Sequence, residues 1–230
     1  MAGAQAVYVL FGFGAGLIAV GGMALFMPEV TDVVVLLLLV CLPSELFVVS
    51  RSRREIEWRG VVVLMVGIAI GILFGAVVLR RTEPTFVLTL LAWFLIGAGA
   101  VFLLVPRSAR VKWPTWIGAP IGALSGLLAG LFGTGGPPLI LYYQLAGADK
   151  TRFRGHLMAI FMVMSFVRVP TYALLGLLTW PRLVSAGAIL PAALLGAWLG
   201  HRIHLGISES RFRRLVSAAL CVLGLLLLLR

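Results

Sequence analysis

Gly133-Thr134-Gly135-Gly136-Pro137-Pro138 interrupts an otherwise apolar stretch that runs from Trp116 to Tyr143. A helix does not continue through three glycines and two prolines in six residues. Glycine gives up the most backbone entropy, and proline lacks the N–H and clashes with the preceding turn. Inside a bilayer, interrupted backbone is tolerated only where protein surrounds it or a wet cavity adjoins it. Half-helices meeting at a glycine-rich break are how many transporters build a substrate site at the midplane. An extramembrane loop is the plainer alternative, but apolar residues run right up to both sides of the break.

Working outward, the whole chain has membrane composition. Its 230 residues are 61% hydrophobic and 12% charged, with mean hydropathy +1.11. A soluble domain carries about 25% charged residues. No basic residue precedes the first apolar run, so the basic n-region of a signal peptide is missing. Cys41 and Cys221 both sit in apolar runs without metal or redox spacing, which reads them as packing residues. No metal and no cofactor is expected. The net charge of +11 does not argue for nucleic acid, because the basic residues sit in short loops beside apolar runs. There they set orientation and meet anionic lipid headgroups.

Eight apolar segments can be read: about Val7–Met27, Asp32–Ser50, Gly60–Leu79, Phe86–Val105, Trp116–Ala146, Gly155–Trp180, Leu183–Leu199 and Phe212–Leu229. Most have about the 20 residues that cross roughly 30 Å of hydrocarbon. If all eight cross, each side carries nine Lys and Arg, leaving aside Arg168 within a segment. If the first and fifth instead enter and leave on one side, the split becomes fourteen against four. The minority side then holds Arg80, Arg81, Arg182 and Arg230. That is the asymmetry expected of a cytoplasmic and an extracytoplasmic face, with both termini outside the cytoplasm. The two segments that must be re-entrant are the two with glycine breaks.

The order of features also repeats. Gly16-Leu17-Ile18-Ala19 and then Gly21-Gly22 resembles Gly126-Leu127-Leu128-Ala129 and then Gly135-Gly136. Pro43 and Trp58 stand where Pro170 and Trp180 stand later, and Gly71-xxx-Gly75 with Arg80 resembles Gly196-xxx-Gly200 with Arg202. The expected fold is an all-α polytopic membrane protein of two inverted repeats, residues 1–105 and 116–230, joined by a basic linker at 106–115. Each repeat is a re-entrant broken hairpin plus three transmembrane helices; eight full spans is the alternative. Inverted repeats with paired broken segments point to alternating access about a central site.

The stretch Gly118–Pro138, with its weaker Gly12–Pro28 copy, resembles the sulfite exporter TauE/SafE family of membrane permeases. The resemblance rests on a small-residue-rich helix, Gly122-Ala123-Leu124-Ser125-Gly126, that leads into Gly133-Thr134-Gly135-Gly136-Pro137. Leu194-Leu195-Gly196-Ala197-Trp198-Leu199-Gly200 and the basic Arg211-Phe212-Arg213-Arg214 also look like the family's C-terminal end. The first copy departs from the pattern, with Met23 where a small residue or proline would be expected. The resemblance implies movement of sulfur-containing anions such as sulfite and organosulfonates.

Three groups of residues are candidates for the site. Arg168 lies inside the sixth segment, just before Pro170. An intramembrane arginine is costly, and its planar donor fork matches sulfite, sulfonate or carboxylate oxygens. Pro170 should open the helix at that level. Glu45, two residues after Pro43, is the acid set well inside a span. It reads as an ion-coupling group, through a proton or through pairing with Arg168, unless segment two ends early and leaves it wet beside Arg51. The turn Gly133, Thr134, Gly135 and Gly136 offers N–H groups, a hydroxyl and a helix start near Pro137, which together suit an anion. Its glycines are expected to include a positive φ. Gly21 and Gly22 should supply the opposing half, Ser125 a further contact, and Tyr142 and Gln144 the lining of a path.

An intramembrane hydrolase would need a histidine at depth beside Ser125; His156 starts a segment, and His201 and His204 lie in a loop. No HExxH or paired-Asp motif is present, so the chain is not expected to be an enzyme. The expectation is a multi-pass permease of a bacterial-type inner membrane that takes a small anion, coupled to a proton or sodium. A homodimer is compatible with the sequence. An anion channel or a carrier of small carboxylates is the alternative.

Overall fold

A computed structural model describes residues 15–27, 29–52, 58–106, 109–111, 113–147, 150–202 and 209–230. These form nine α-helices and no strand. They are α1 (Ala15–Ala24), α2 (Val30–Ser52), α3 (Trp58–Arg81), α4 (Pro84–Leu104), α5 (Gly118–Phe132), α6 (Gly136–Ala146), α7 (Lys150–Leu174), α8 (Trp180–Arg202) and α9 (Glu209–Leu228). Among the described residues, Val62–Arg81, Pro84–Leu104 and His156–Leu174 are long and apolar enough to cross a bilayer.

The fifth apolar segment divides at the glycine turn. Gly133 takes the left-handed conformation, φ 77°, and ends α5; Gly135 precedes α6, which has proline in its first turn. At 15 and 11 residues, the two helices are about 22 Å and 16 Å long, each short of a roughly 30 Å crossing. The chain also reverses. Gly135 lies against the backbone of Ser125, two turns back along α5, and the Ser125 hydroxyl donates to the Gly135 carbonyl. The far end of α6 returns to the linker that precedes α5. There Val111 N–H donates to the Leu145 carbonyl at 2.9 Å, and Trp113 meets Tyr142 at 6.2 Å between ring centroids. Segment five is thus a helical hairpin whose two ends meet.

The hairpin lies on α3 through facing small residues. A Cβ on Gly67, Gly71 or Gly75 would fall on the carbonyls of Ala119, Ala123 and Leu127 in α5. One on Gly122, Gly126 or Gly130 would fall on those of Leu64, Ile68 and Ile72 in α3. With small residues every fourth position on both helices, the backbones approach until only hydrogens separate them. α4 and α9 pair similarly, Gly99 against Ser217 and Cys221, Gly224 against Ala92 and Ile96. Cys221 is therefore the packing residue the sequence suggested.

Three expectations change. Segment six ends at Leu174, not Trp180, because Gly176 turns left-handed at φ 69° and Trp180-Pro181 then starts α8. α7 stays helical through Pro170, where the Thr171 hydroxyl donates to the Val167 carbonyl at 2.7 Å. Gly21 and Gly22 are helical, inside α1, and form no turn. A Cβ on Gly21 would press on Leu95 and Leu223, so packing against α4 and α9 is what this glycine serves. The earlier part of the first repeat's motif, including Gly12 and Gly14, lies outside the described residues.

Candidate functional site

Arg168 organises the middle of the molecule. It is 4% exposed. Nη1 donates to the Gly133 carbonyl at 3.2 Å and Nη2 to the Val34 carbonyl at 3.3 Å. One guanidinium therefore ties α7 to the hairpin turn and to α2. One turn further along α7, Tyr172 donates from its hydroxyl to the Gly130 carbonyl at 2.7 Å. Its ring lies 5.3 Å from the guanidinium carbon, within cation–π range. The end of a helix leaves carbonyls without intrahelical partners and a partial negative charge. Arg168 and Tyr172 answer both for α5. Nε of Arg168 is buried with no hydrogen-bond partner, which leaves one strong donor unused.

A cavity of about 40 Å³ opens beside this group, lined by Glu45, Gly133, Thr134, Gly135, Ser165 and Arg168, and by Gly16, Leu37, Cys41, Ala129, Phe161 and Met164. One water needs roughly 10–15 Å³ of such space, so about three waters fit. The cavity holds one guanidinium and one carboxyl. Glu45 is 4% exposed and accepts from the Ser165 hydroxyl at 2.6 Å. α2 continues to Ser52, so Glu45 is not at an early wet end.

The sequence candidates divide by place. Arg168, Glu45, Gly133, Thr134 and Gly135 line one cavity. Ser125 stands behind the turn and fixes it. Gly136 starts α6 outside the lining. Gly21 and Gly22 lie elsewhere in α1, and Gly16 faces Thr134 in their stead. Tyr142 and Gln144 sit at the linker end of the hairpin; Gln144 Nε2 donates to the Pro106 carbonyl at 3.4 Å. The left-handed residue is Gly133, while Gly135 has φ −108°.

Cys41, read from sequence as a packing residue, and Ser165 were not among the site candidates. Counting helical turns from the two charged residues recovers them. Leu37, Cys41 and Glu45 are spaced by four on α2, and Phe161, Ser165 and Arg168 by four and three on α7.

The two turn glycines should behave differently on substitution. A Cβ on Gly135 would land on the Ser125 backbone, whereas one on Gly136 would meet only side-chain atoms at 3.5 Å, ordinary contact. Gly135→Ala is expected to displace the turn and lower the melting temperature by several degrees. Gly136→Ala is expected to leave it nearly unchanged. Equal effects in the purified variants would contradict the packing of the turn.

A profile of the sulfite exporter TauE/SafE family matches residues 1–227. The probable sulfite/organosulfonate exporter TauE of Cupriavidus necator is 30% identical over 231 residues, covering 95% of this chain and 87% of that protein. The probable inner membrane transporter protein TsaS of Comamonas testosteroni is 24% identical over 194 residues, covering 83% and 80%. No solved structure gives a significant match.

Proposed function

The chain belongs to the sulfite exporter TauE/SafE family, and on that premise we propose that it is a permease for small sulfur-containing anions of the sulfite or sulfonate type. It is a membrane transporter and not an enzyme. The observation that carries the substrate class is the buried Arg168 beside a small internal cavity. The anion would lie beside the Arg168 guanidinium, with the Thr134 hydroxyl and the glycine turn around it. The carbonyls of Gly133 and Val34 would hold the guanidinium plane in register for it. A guanidinium fork suits the oxygens of a sulfite or sulfonate group.

We infer further that the two halves are inverted repeats working by alternating access, in a bacterial-type inner membrane. Element lengths support this. α1 to α4 have 10, 23, 24 and 21 residues, and α6 to α9 have 11, 25, 23 and 20. Directions support it too. From the cavity, α6 runs to the end that holds Arg110, while α1 runs to Ala24, whose carbonyl accepts from Arg230 at 2.6 Å. These contacts support setting Arg182 and Arg230 on the face opposite Arg110, the fourteen-to-four division of basic residues.

Glu45 gives the reading a coupling group. An anion entering beside ionised Glu45 meets a like charge, and a proton on Glu45 removes it. Methanesulfonate separates this effect from titration of the ligand, because its sulfonate stays ionised across the working range. Its stabilisation of the purified protein, read as a melting-temperature shift, should grow as pH falls. In Glu45→Gln the shift should be independent of pH. Absence of any shift with sulfite or methanesulfonate would remove the anion site. A pH-independent shift in the unsubstituted protein would remove proton coupling alone.

A further inference from the structure

A second charged cluster closes the end of the molecule opposite the basic linker. Arg182, in the first turn of α8, donates from Nε to Asp32 Oδ1 at 2.6 Å and from Nη2 to Glu29 Oε2 at 3.3 Å. Its Nη1 donates to the Leu177 carbonyl at 2.9 Å. The guanidinium thereby fastens the start of α2 to the turn between α7 and α8. Under it lies a cavity of about 280 Å³ lined by Asp32, Leu36, Thr179, Arg182 and Ser185, among others. α2 is the wall shared with the central cavity. Asp32 and Leu36 face outward to the larger space, and Leu37, Cys41 and Glu45 face the inner one.

The strength of this cluster suits it to opening and closing. The Glu29 and Asp32 side chains are 54% and 34% exposed, and ion pairs so exposed are weak. A contact of this kind does not serve as a girder. The two helices it joins carry interior prolines, Pro43 in α2 and Pro191 in α8, where helices bend most readily. Beyond Asp32, α2 is held again by Arg168 at Val34. Release of Arg182 therefore frees the first turn of α2, while the helix stays anchored from Val34 onward.

We propose that Arg182, Asp32 and Glu29 form the gate between the central cavity and the face opposite the basic linker. Fastened, they seal that face; released, they let the start of α2 swing from α8 and open the larger cavity into the smaller. This rests on the permease reading, but its test uses no transported anion.

Cys41 supplies the reporter, because it lines the central cavity and is not in a disulfide. With Cys221→Ala it is the sole thiol, since the chain has two cysteines. The full-length protein is reconstituted in vesicles of both orientations and treated with an impermeant cationic methanethiosulfonate. Arg182→Gln should raise the rate of Cys41 modification at least tenfold from the Arg182 face and lower it from the other. Asp32→Asn, a milder change, should act in the same direction. Exchanging the charges, Arg182→Asp with Asp32→Arg, should restore the slow rate. A rate within twofold of the parent in a stably folded Arg182→Gln or Asp32→Asn protein would overturn the gate. So would an equal rise from both faces, which marks a staple that merely holds the fold. Because methanesulfonate stabilisation is read separately, failure of the gate and failure of the anion site are distinguishable.

Discussion

Arg168→Met should abolish the melting-temperature shift produced by sulfite and also lower the melting temperature without ligand. The first effect follows from the site: methionine offers no donor to an anion. The second follows from the two carbonyls of Gly133 and Val34 that the guanidinium holds at 3.2 Å and 3.3 Å. A hydrogen bond from a charged donor contributes about 1.5–3 kcal/mol, while removal of a buried charge recovers part of that loss. Arg168→Lys separates the roles. An ammonium keeps the charge but cannot span two carbonyls and an anion with one planar group. It should retain weak anion binding in a protein less stable than the parent. If Glu45 depends on Arg168 for its charge balance, adding Glu45→Gln to Arg168→Met should restore stability without restoring anion binding. An unchanged sulfite shift in a folded Arg168→Met protein would take Arg168 out of the site, and with it the main reason for assigning an anion.

Gly71→Val should be the most damaging single change outside the cavity. A Cβ on Gly71 would sit on the Ala123 carbonyl, so the helices must separate along their whole seam. Overpacking typically costs about 1–3 kcal/mol, and here the obstruction is backbone, which cannot rotate away. Loss of folded protein on gel filtration in detergent is the expected result. Gly97→Val, with nothing within 4 Å of its Cβ, is the matched control and should behave as the parent. If Gly71→Val is as stable as Gly97→Val, the two helices do not meet as described.

The fold was legible where its signals are local. Apolar runs of about 20 residues, bounded by charges, mark spans without tertiary information. Three glycines and two prolines in six residues mark a break in the same way. Pairing Gly21-Gly22 with the turn failed because glycine does two jobs under one letter. At Gly133 it allows a positive φ of 77°; at Gly21 it makes room for Leu95 and Leu223. In a sequence with 27 glycines, matching dipeptides cannot separate the two. The end of segment six was missed for a related reason. Gly176 and Trp180 lie within continuing apolar sequence, and only the backbone shows the chain turning at Gly176.

The candidate site was half legible. Arg168 and Glu45 stand out because ionised groups are rare inside apolar runs. The sequence could not show that Arg168 spends two donors on backbone carbonyls. Nor could it show that Thr134 would face Gly16 rather than Gly21. Both depend on where α2 and α1 come to rest against the hairpin. Cys41 looked like packing because thiols are common in cores, and its place follows only after Glu45 has fixed the face of α2.

The seam of glycines between α3 and α5 bears on how the chain is made. Gly67, Gly71 and Gly75 leave the ribosome before Gly118, Gly122, Gly126 and Gly130 exist. Their partners follow about 50 residues later, roughly 3–10 s at ordinary rates of synthesis. For that interval the bare groove of α3 has only lipid or another nascent helix to face. Closure of the seam is then a late step of biogenesis.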